Sequence, residues 1–131
     1  MFHIIFSSDE NYIKYTAVLI NSIIKNTNTN LSFKDICKNS GFDAPKDSSF
    51  SSYKAINFDD LSSEQKQEGH IFHILNNNIS SQTQNKLNSL QNKLNQIYPC
   101  QILTHIIDDK EFSNFPISGA AHSNFLPYYR L

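Results

Sequence analysis

The chain has 131 residues, a formal net charge of −1 and only three glycines. The length fits one domain, and a hydrophobic fraction of 39% is sufficient for a core. A charge this close to zero argues against a non-specific nucleic-acid binder. Three isolated glycines cannot form a G-x-G-x-x-G turn or a Walker loop, so both common phosphate-binding loops are excluded.

The two cysteines, Cys37 and Cys100, stand alone in the sequence. This spacing argues against a disulfide scaffold and fits a reducing compartment. No apolar run approaches the roughly 20 residues of a membrane span. The first residues also lack the basic region and the cleavage site of a signal peptide. The sequence therefore predicts a cytoplasmic protein.

The chain opens with a strand, a turn and a helix. Residues 2–6 form an apolar run typical of a strand buried on both faces. Residues 7–11 are polar and rich in helix-capping side chains, and a helical pattern covers residues 12–25. This order is the opening half of a βαβ unit. Apolar side chains at steps of three and four predict the buried face of the helix: Tyr12, Tyr15, Leu19 and Ile23, widened by Val18 and Ile20.

Residues 31–69 lose this regularity and are rich in Ser, Lys and Asp. A stretch of this length without periodicity is long for a loop inside a compact domain, so we interpret it as an insertion. Two short helices are predicted within it, at residues 33–38 and 58–67. Asp59 or Ser62 is expected to cap the second one.

The second half repeats the alternation of strand and helix. Residues 70–75 and 101–107 form apolar runs that predict a second and a third strand. Between them, Ser81 and Gln84 have the spacing of a capping box, and Pro99 ends the helix. The helix carries one apolar face of Leu87, Leu90, Leu94 and Ile97. This order predicts a mostly parallel sheet with right-handed crossovers.

Ligands of such sheets bind beyond the carboxyl ends of the strands, which here are residues 7–11, 76–78 and 107–111. In the first segment Asp9 can accept hydrogen bonds from a ribose or a base, and Tyr12 can stack on a base. The alternative is that Asp9 only caps the helix and that Tyr12 belongs to the core.

Two of the histidines have a pattern that is found in metal sites, but their spacing on a strand argues against a shared metal ion. His70 and His73 form an H-x-x-H pattern, but a separation of three residues on a strand places the rings on opposite faces. A shared metal ion is therefore not expected. His3 and His105 also lie in predicted strands, where we interpret them as core or edge histidines.

Three further features of the sequence bear on its chemistry. We interpret Asp108 and Asp109 as a solvated turn rather than a cation site. Arg130 is the only arginine, so it alone can make a planar bidentate contact with an anion, and His122 shortly precedes it. The alternative for Arg130 is an ordinary surface position. No serine lies in a G-x-S-x-G elbow and neither cysteine neighbours a base, so nucleophilic hydrolysis has no support.

Four segments together resemble the N-terminal half of glycosyltransferase family 8, which contains bacterial lipooligosaccharide galactosyl- and glucosyltransferases. Residues 4–12 resemble the opening strand of the family and its D-x-N-Y turn, and residues 19–24 its first helix. Residues 72–80 are similar to its second strand and the following turn. Residues 112–131 resemble the approach to its Y-x-R-L helix. The resemblance covers nearly the whole chain except the insertion.

This resemblance implies the Rossmann-like α/β fold called GT-A, here in truncated form, with a mostly parallel sheet and flanking helices. Residues 1–131 would be its N-terminal nucleotide-sugar-binding part. The implied activity is transfer of a hexose from a UDP-sugar to a glycan, with retention at the anomeric carbon. The implied acceptor is lipooligosaccharide or lipopolysaccharide, which is compatible with peripheral association at the inner face of the membrane.

The resemblance also implies roles for single residues. Ser7 would offer backbone contacts to the uracil, and Asp9 would accept from the uracil N–H. Asn11 would hold the ribose, and Tyr12 would stack on the base. Arg130 would reach the donor sugar or the diphosphate.

His122 would line the sugar or acceptor pocket in the same family. Family members hold Mn²⁺ with a D-x-D motif that follows Y-x-R-L, and this sequence ends at Leu131. We therefore expect the chain to lack the Mn²⁺ ligands and to turn over weakly or not at all. The alternative hypothesis is a non-catalytic fragment that binds a nucleotide or a protein partner, or that self-associates through an exposed sheet edge.

Overall fold

The computed structural model describes residues 1–39 and 57–114. The chain divides into two compact units. The sheet unit comprises Phe2–Thr27 and the residues from His70 onward, and the second unit comprises Met1 and Asn28–Gly69. The insertion proposed for residues 31–69 falls within the second unit, although its status relative to other family members stays a prediction.

The sheet unit is built on three strands in the order β1-β2-β3: β1 (Phe2–Ser7), β2 (His70–Asn76) and β3 (Cys100–Ile106). Both pairings are parallel, and the register aligns Phe2 with His70 and His70 with Cys100. The prediction of a parallel α/β sheet is thereby confirmed for the described residues. Each predicted strand is correct to within one residue at either end.

Two helices, α1 (Ile13–Asn26) and α3 (Ser81–Leu94), pack on one face of this sheet. The hydrophobic core between them combines residues of both helices with residues of β2 and β3. Its buried members are Ile13, Ile20, Ile24, Phe72, Ile74, Leu87, Leu94, Cys100 and Ile102. Phe72 and Ile74 of the central strand are fully buried, so the core is centred beneath β2.

The expectation that β1 is buried on both faces is wrong. Its burial alternates along the strand, and both His3 and Ile5 are exposed, Ile5 to 52%. Within the described residues β1 is an edge strand, and α1 and α3 cover only the face to which Ile4 and Phe6 belong. An apolar run alone therefore does not show how many faces of a strand are covered.

Helix α1 is confirmed, but its predicted buried face is correct only for Ile20, which is buried, and Ile23, which packs partly buried against the core. The side chains that pack on the sheet are Ile13, Ile20 and Ile24, whereas Tyr15 and Leu19 are exposed to 61% and 49%. The helix carries two apolar stripes, so periodicity cannot choose between them.

The N-cap of helix α3 lies one residue earlier than predicted. Ser80, not Ser81, is the N-cap, because its backbone is extended and its Oγ accepts from the Thr83 N–H at 3.1 Å. The helix ends at Leu94, before Pro99. Beyond it, the Asn95 side chain accepts from the Cys100 N–H at 2.7 Å, which leads the chain into β3.

The second unit contains α2 (Phe33–Asn39), close to its predicted range, and a short 3-10 helix (Phe58–Asp60). The longer helix predicted over residues 58–67 is wrong. Asn57 caps the 3-10 turn through Asp59 N–H, and the chain then turns again at Ser62. Phe33 is buried, and its ring meets Phe58 edge-on with 5.9 Å between centroids.

Candidate nucleotide-binding site

The segments that follow the three strands meet at one edge of the sheet, as predicted. Beyond β1, the Ser8 N–H donates to the Leu75 carbonyl of β2 at 3.0 Å. Beyond β3, the Ile107 N–H donates to the Asn76 carbonyl at 2.7 Å. These bonds continue the sheet past its regular strands and bring the three polar segments together.

Asp9 organises the turn of residues 9–12 (the 9–12 turn). Its Oδ1 accepts from the N–H groups of Asn11 at 2.9 Å and Tyr12 at 3.0 Å. Its carbonyl accepts from Tyr12 and Ile13, which begins the helical bonding of α1. All of these side-chain bonds use Oδ1. Within the described part of the chain, Oδ2 therefore remains available as a hydrogen-bond acceptor.

Tyr12 stands at the end of this turn and is 55% exposed. Its ring centroid lies 5.9 Å from that of Tyr15, and the planes are inclined by 45°. The Asp9 side chain thus closes the turn before α1, whereas the N-cap residue of the helix itself is Tyr12 and makes no side-chain cap bond. The alternative that Tyr12 belongs to the core is wrong, because its ring is exposed. An exposed aromatic ring beside a free carboxylate oxygen can receive a flat polar ligand such as a nucleobase.

The remaining predicted nucleotide contacts lie on either side of Asp9. Ser7 is the last residue of β1 and is half-buried, and Asn11 is exposed on the 9–12 turn. The structure thus brings Asp9, Asn11 and Tyr12 onto one turn, with Ser7 leading into it. His122 and Arg130 lie outside the described residues.

Glu10, which sequence reasoning left unassigned, ties the 9–12 turn to α3. Its carboxylate accepts from the Thr83 hydroxyl at 2.6 Å, the Ser80 hydroxyl at 2.7 Å and the Ser80 N–H at 3.2 Å. The Thr83 bond is the largest cause of a lowered pKa of the Glu10 carboxyl, followed by the bonds from Ser80. In the sequence, the one feature that could have pointed to Glu10 is its position between Asp9 and Asn11.

The histidines divide between the two faces of the sheet, as predicted for H-x-x-H on a strand. His70 is buried on the helix-covered face. His73 lies on the opposite face in a row of three imidazoles (the histidine row: His3, His73 and His105). The row is joined by nitrogen–nitrogen distances of 3.0 Å between His3 and His73 and 2.9 Å between His73 and His105. Sequence reasoning treated these three as separate residues.

A comparison with models of protein families shows to which family the chain belongs. The model of glycosyl transferase family 8 matches residues 3–130, nearly the full sequence. The chain belongs to glycosyltransferase family 8. No curated protein and no solved structure is matched significantly. The open parallel sheet with its flanking helices is therefore a GT-A, Rossmann-like α/β fold, and the family activity is glycosyl transfer from a nucleotide sugar to a glycan.

Asn76 lies at the end of the central strand of this family 8 chain, in the segment 76–78 predicted to follow that strand, and the sequence alone assigned it no role of its own. It is fully buried, and its Oδ1 has no hydrogen-bond partner within the described residues. Its Nδ2 donates to the Ile74 carbonyl at 3.4 Å, the outer limit of such a bond. A buried amide oxygen without a partner is uncommon.

Family 8 enzymes are generally metal-dependent. No group of three His, Cys, Asp or Glu side chains in residues 1–39 and 57–114 could hold one. Asp108 instead accepts from the Lys110 N–H at 3.0 Å and caps the short helix Asp109–Phe112, as expected for a turn. The described residues do not fit the Mn²⁺ site that the family implies.

None of the helices among the described residues has the length and apolarity needed to cross a bilayer.

Proposed function

We propose that this chain binds the nucleotide of a UDP-hexose, the donor for transfer of the hexose to a lipooligosaccharide-type glycan with retention. The observation that carries the proposal is the bonding of Asp9. Because Oδ1 is held by two backbone N–H groups, the carboxylate is fixed with Oδ2 left to accept from a ligand. Family membership supports a nucleotide-sugar ligand at this edge of the sheet.

In the proposed complex the uracil N–H donates to Asp9, and Tyr12 stacks on the base. Asn11 holds the ribose, and Ser7 contributes backbone contacts to the uracil. Stacking on an exposed aromatic ring is worth about 1–3 kcal/mol per base. Arg130 is proposed to contact the donor sugar or diphosphate.

His122 is proposed to line the sugar or acceptor pocket. We also propose that residues 1–131 act as the nucleotide-sugar-binding part of a GT-A domain, with residues 31–69 as an insertion. In the family, Mn²⁺ neutralises charge on the diphosphate leaving group. Asp9, Asn11 and Tyr12 are proposed to bind and orient the nucleoside and not the metal-bound diphosphate. Their contribution is therefore tested by measuring nucleotide binding.

The experiment is a calorimetric titration of the purified chain with UDP and with CDP. Uracil presents an N–H where cytosine presents an unprotonated nitrogen, so an acceptor at Asp9 favours UDP. Asp9→Asn keeps an oxygen to cap the 9–12 turn but replaces the free oxygen with a donor. We expect it to weaken UDP binding about tenfold or more and to weaken CDP binding less.

Two matched controls accompany this variant. Asp108→Asn changes another carboxylate that caps a turn beyond a strand, and it should leave UDP affinity unchanged. Tyr15→Ala removes an exposed ring next to Tyr12, and it should weaken binding less than Tyr12→Ala. Absence of UDP binding by the wild-type chain, or equal loss in Asp9→Asn and Asp108→Asn, would contradict the proposal.

A second candidate function is non-catalytic association with a protein, including a second copy of this chain. It is favoured by the exposed apolar stripe of α1, where Val18 is 67% and Leu19 is 49% exposed. Sedimentation analysis tests it. A defined oligomer that Val18→Asp converts to monomer, together with no UDP binding, would support this candidate over the first.

A further inference from the structure

The carboxylate of Glu10 connects two parts of the sheet unit that are seventy residues apart in sequence. Oε1 accepts from both the Ser80 and Thr83 hydroxyls, and Oε2 accepts from the Ser80 N–H. Three donors therefore converge on one side chain (the Glu10 cluster: Glu10, Ser80 and Thr83). Hydrogen bonds to an ionised acceptor are among the stronger ones in proteins.

The donors of the Glu10 cluster are themselves held in place. Ser80 is the N-cap of α3, and its Oγ accepts from the Thr83 N–H at 3.1 Å while its proton goes to Glu10. The carboxylate thus sits at the positive end of a 14-residue helix, where a negative charge is favourable. Helix α3 is in turn fixed on the sheet by the buried Leu87 and Leu94.

Glu10 is the residue between Asp9 and Asn11, so it shares a peptide unit with each. The bonds of the Glu10 side chain to α3 restrict the backbone of the 9–12 turn. This restriction adds to the one that the Asp9 side chain imposes. Among the described residues, the other bonds that close the turn are local and run to Asp9 from the N–H groups of Asn11, Tyr12 and Ile13. A ligand that needs Asp9 and Asn11 in one arrangement gains affinity from this restriction.

We propose that Glu10 is a positioning residue of the donor site, which holds the 9–12 turn in its nucleotide-binding arrangement by anchoring it to the first turn of α3. This proposal rests on the proposed function of that turn. It predicts that Glu10 influences nucleotide affinity without contacting the nucleotide.

The test measures UDP affinity for the wild-type chain and for Glu10→Ala, Thr83→Val and the double variant. Glu10→Ala should weaken UDP binding about fivefold or more. Thr83→Val should weaken it less, because Ser80 still donates to the carboxylate. The double variant should bind UDP no more weakly than Glu10→Ala alone, since both changes remove the same cluster. Glu10→Gln, which keeps one acceptor oxygen, should recover part of the affinity.

The matched control is Asp35→Ala in the second unit. Asp35 also accepts from a serine at the start of a helix, with the Ser32 hydroxyl at 2.6 Å and the Ser32 N–H at 3.3 Å. Asp35→Ala removes the same kind of hydrogen bond as Glu10→Ala, and we expect it to leave the UDP affinity unchanged. Equal weakening by Asp35→Ala and Glu10→Ala would mean a general loss of stability and would overturn the proposal.

Hydrogen exchange supplies a readout that does not depend on UDP. In Glu10→Ala, the Asn11 and Tyr12 amides that donate to Asp9 should exchange faster, while amides in β2 keep their wild-type rates. Unchanged exchange at both amides would overturn the positioning role even if UDP binds. Faster exchange in a chain that never binds UDP would refute the proposed function, and with it the role of Glu10 in a donor site.

Discussion

Nε2 of His70 lies 3.1 Å from Oγ1 of Thr27, and this pair defines the tautomer of a buried imidazole. The Thr27 hydroxyl donates its one proton to the Ile23 carbonyl at 2.9 Å, so its oxygen accepts from the Nε2–H of His70. Nδ1 then carries no proton, and it has no partner within the described residues. A second proton on this ring would be buried without an acceptor among the described residues, which favours the neutral form of His70 in the folded chain.

The first prediction concerns stability and pH. Burial lowers the pKa of His70, and burial followed by the charges of His105 and His3 lowers the pKa of His73. Below the ordinary histidine pKa near 6.5, the unfolded chain therefore binds more protons than the folded chain. We expect the free energy of unfolding to be highest above about pH 7 and to fall as the pH is lowered through about 6.5.

Urea denaturation across this pH range checks the prediction. The range lies above the titration of the carboxylates. The α-amino group of Met1, whose pKa is lowered by burial, contributes to the slope together with the histidines, so the histidine share is obtained from variants. His70→Gln retains a side-chain donor for Thr27 but does not titrate, and it should flatten the dependence. The double variant His70→Gln/His73→Gln should flatten it further. A double variant with the wild-type slope would show that other groups cause the loss of stability.

The second prediction concerns the histidine row. The His3 and His73 rings are inclined by only 15°, and their nitrogens approach to 3.0 Å while their centroids are 5.2 Å apart, so the rings meet edge to edge. A neutral imidazole has one donor and one acceptor nitrogen. If His73 donates to one neighbour, it must accept from the other. All three histidines must therefore adopt the same tautomer, either Nδ1–H or Nε2–H.

Long-range ¹H–¹⁵N correlation spectra at about pH 8, where free histidine is neutral, measure this directly. The expected result is a single tautomer shared by His3, His73 and His105. His73→Phe should release both neighbours to the mixed tautomers of free histidine. Different tautomers at His3 and His105 in the wild-type chain would contradict the continuous row.

The sheet was predictable from sequence because its strands are short apolar runs separated by capping residues and polar turns. The face of α1 was not predictable. Ile20 and Leu19 are neighbours of similar hydrophobicity, and only packing into the core of the folded chain buries the first and leaves the second exposed. The start of α3 was missed by one residue for a related reason, because Ser80 and Ser81 are both competent caps and the approach of the chain selects Ser80.

The candidate site shows the same division. The resemblance drew attention to Asp9 and Tyr12 because they belong to a recognisable turn. Glu10 was left out, since its role depends on Ser80 and Thr83, which only the folded chain brings within bonding distance. The histidine row likewise depends on the register of three strands, which no local pattern specifies.

The third prediction compares Ile20→Ala with Leu19→Ala. Ile20 is fully buried against the sheet, so its truncation leaves a cavity and should lower the free energy of unfolding by about 2–5 kcal/mol. Leu19 is 49% exposed, and its truncation should cost less than about 1 kcal/mol. Chemical denaturation of the two variants measures both changes in the free energy of unfolding. Equal costs, or a larger cost at Leu19, would mean that the other stripe of α1 faces the sheet.

The fourth prediction concerns the buried amide of Asn76. Its Oδ1 has no partner within the described residues, and its Nδ2 makes only a long bond of 3.4 Å to Ile74. A desolvated polar atom without a partner costs about 1–3 kcal/mol. Asn76→Val removes that atom and places a β-branched side chain in a strand, which strands favour. We expect the free energy of unfolding to rise by about 1 kcal/mol.

The control for this change is Asn78→Val, at an exposed position two residues later. It should alter the free energy of unfolding by no more than about 0.5 kcal/mol. A loss of stability in Asn76→Val, with Asn78→Val unchanged, would show that Oδ1 is hydrogen-bonded in the folded protein. The central strand would then end on a satisfied polar group at the edge where the 9–12 turn lies, and stability of Asn76→Val with and without UDP would tell whether the ligand supplies the bond.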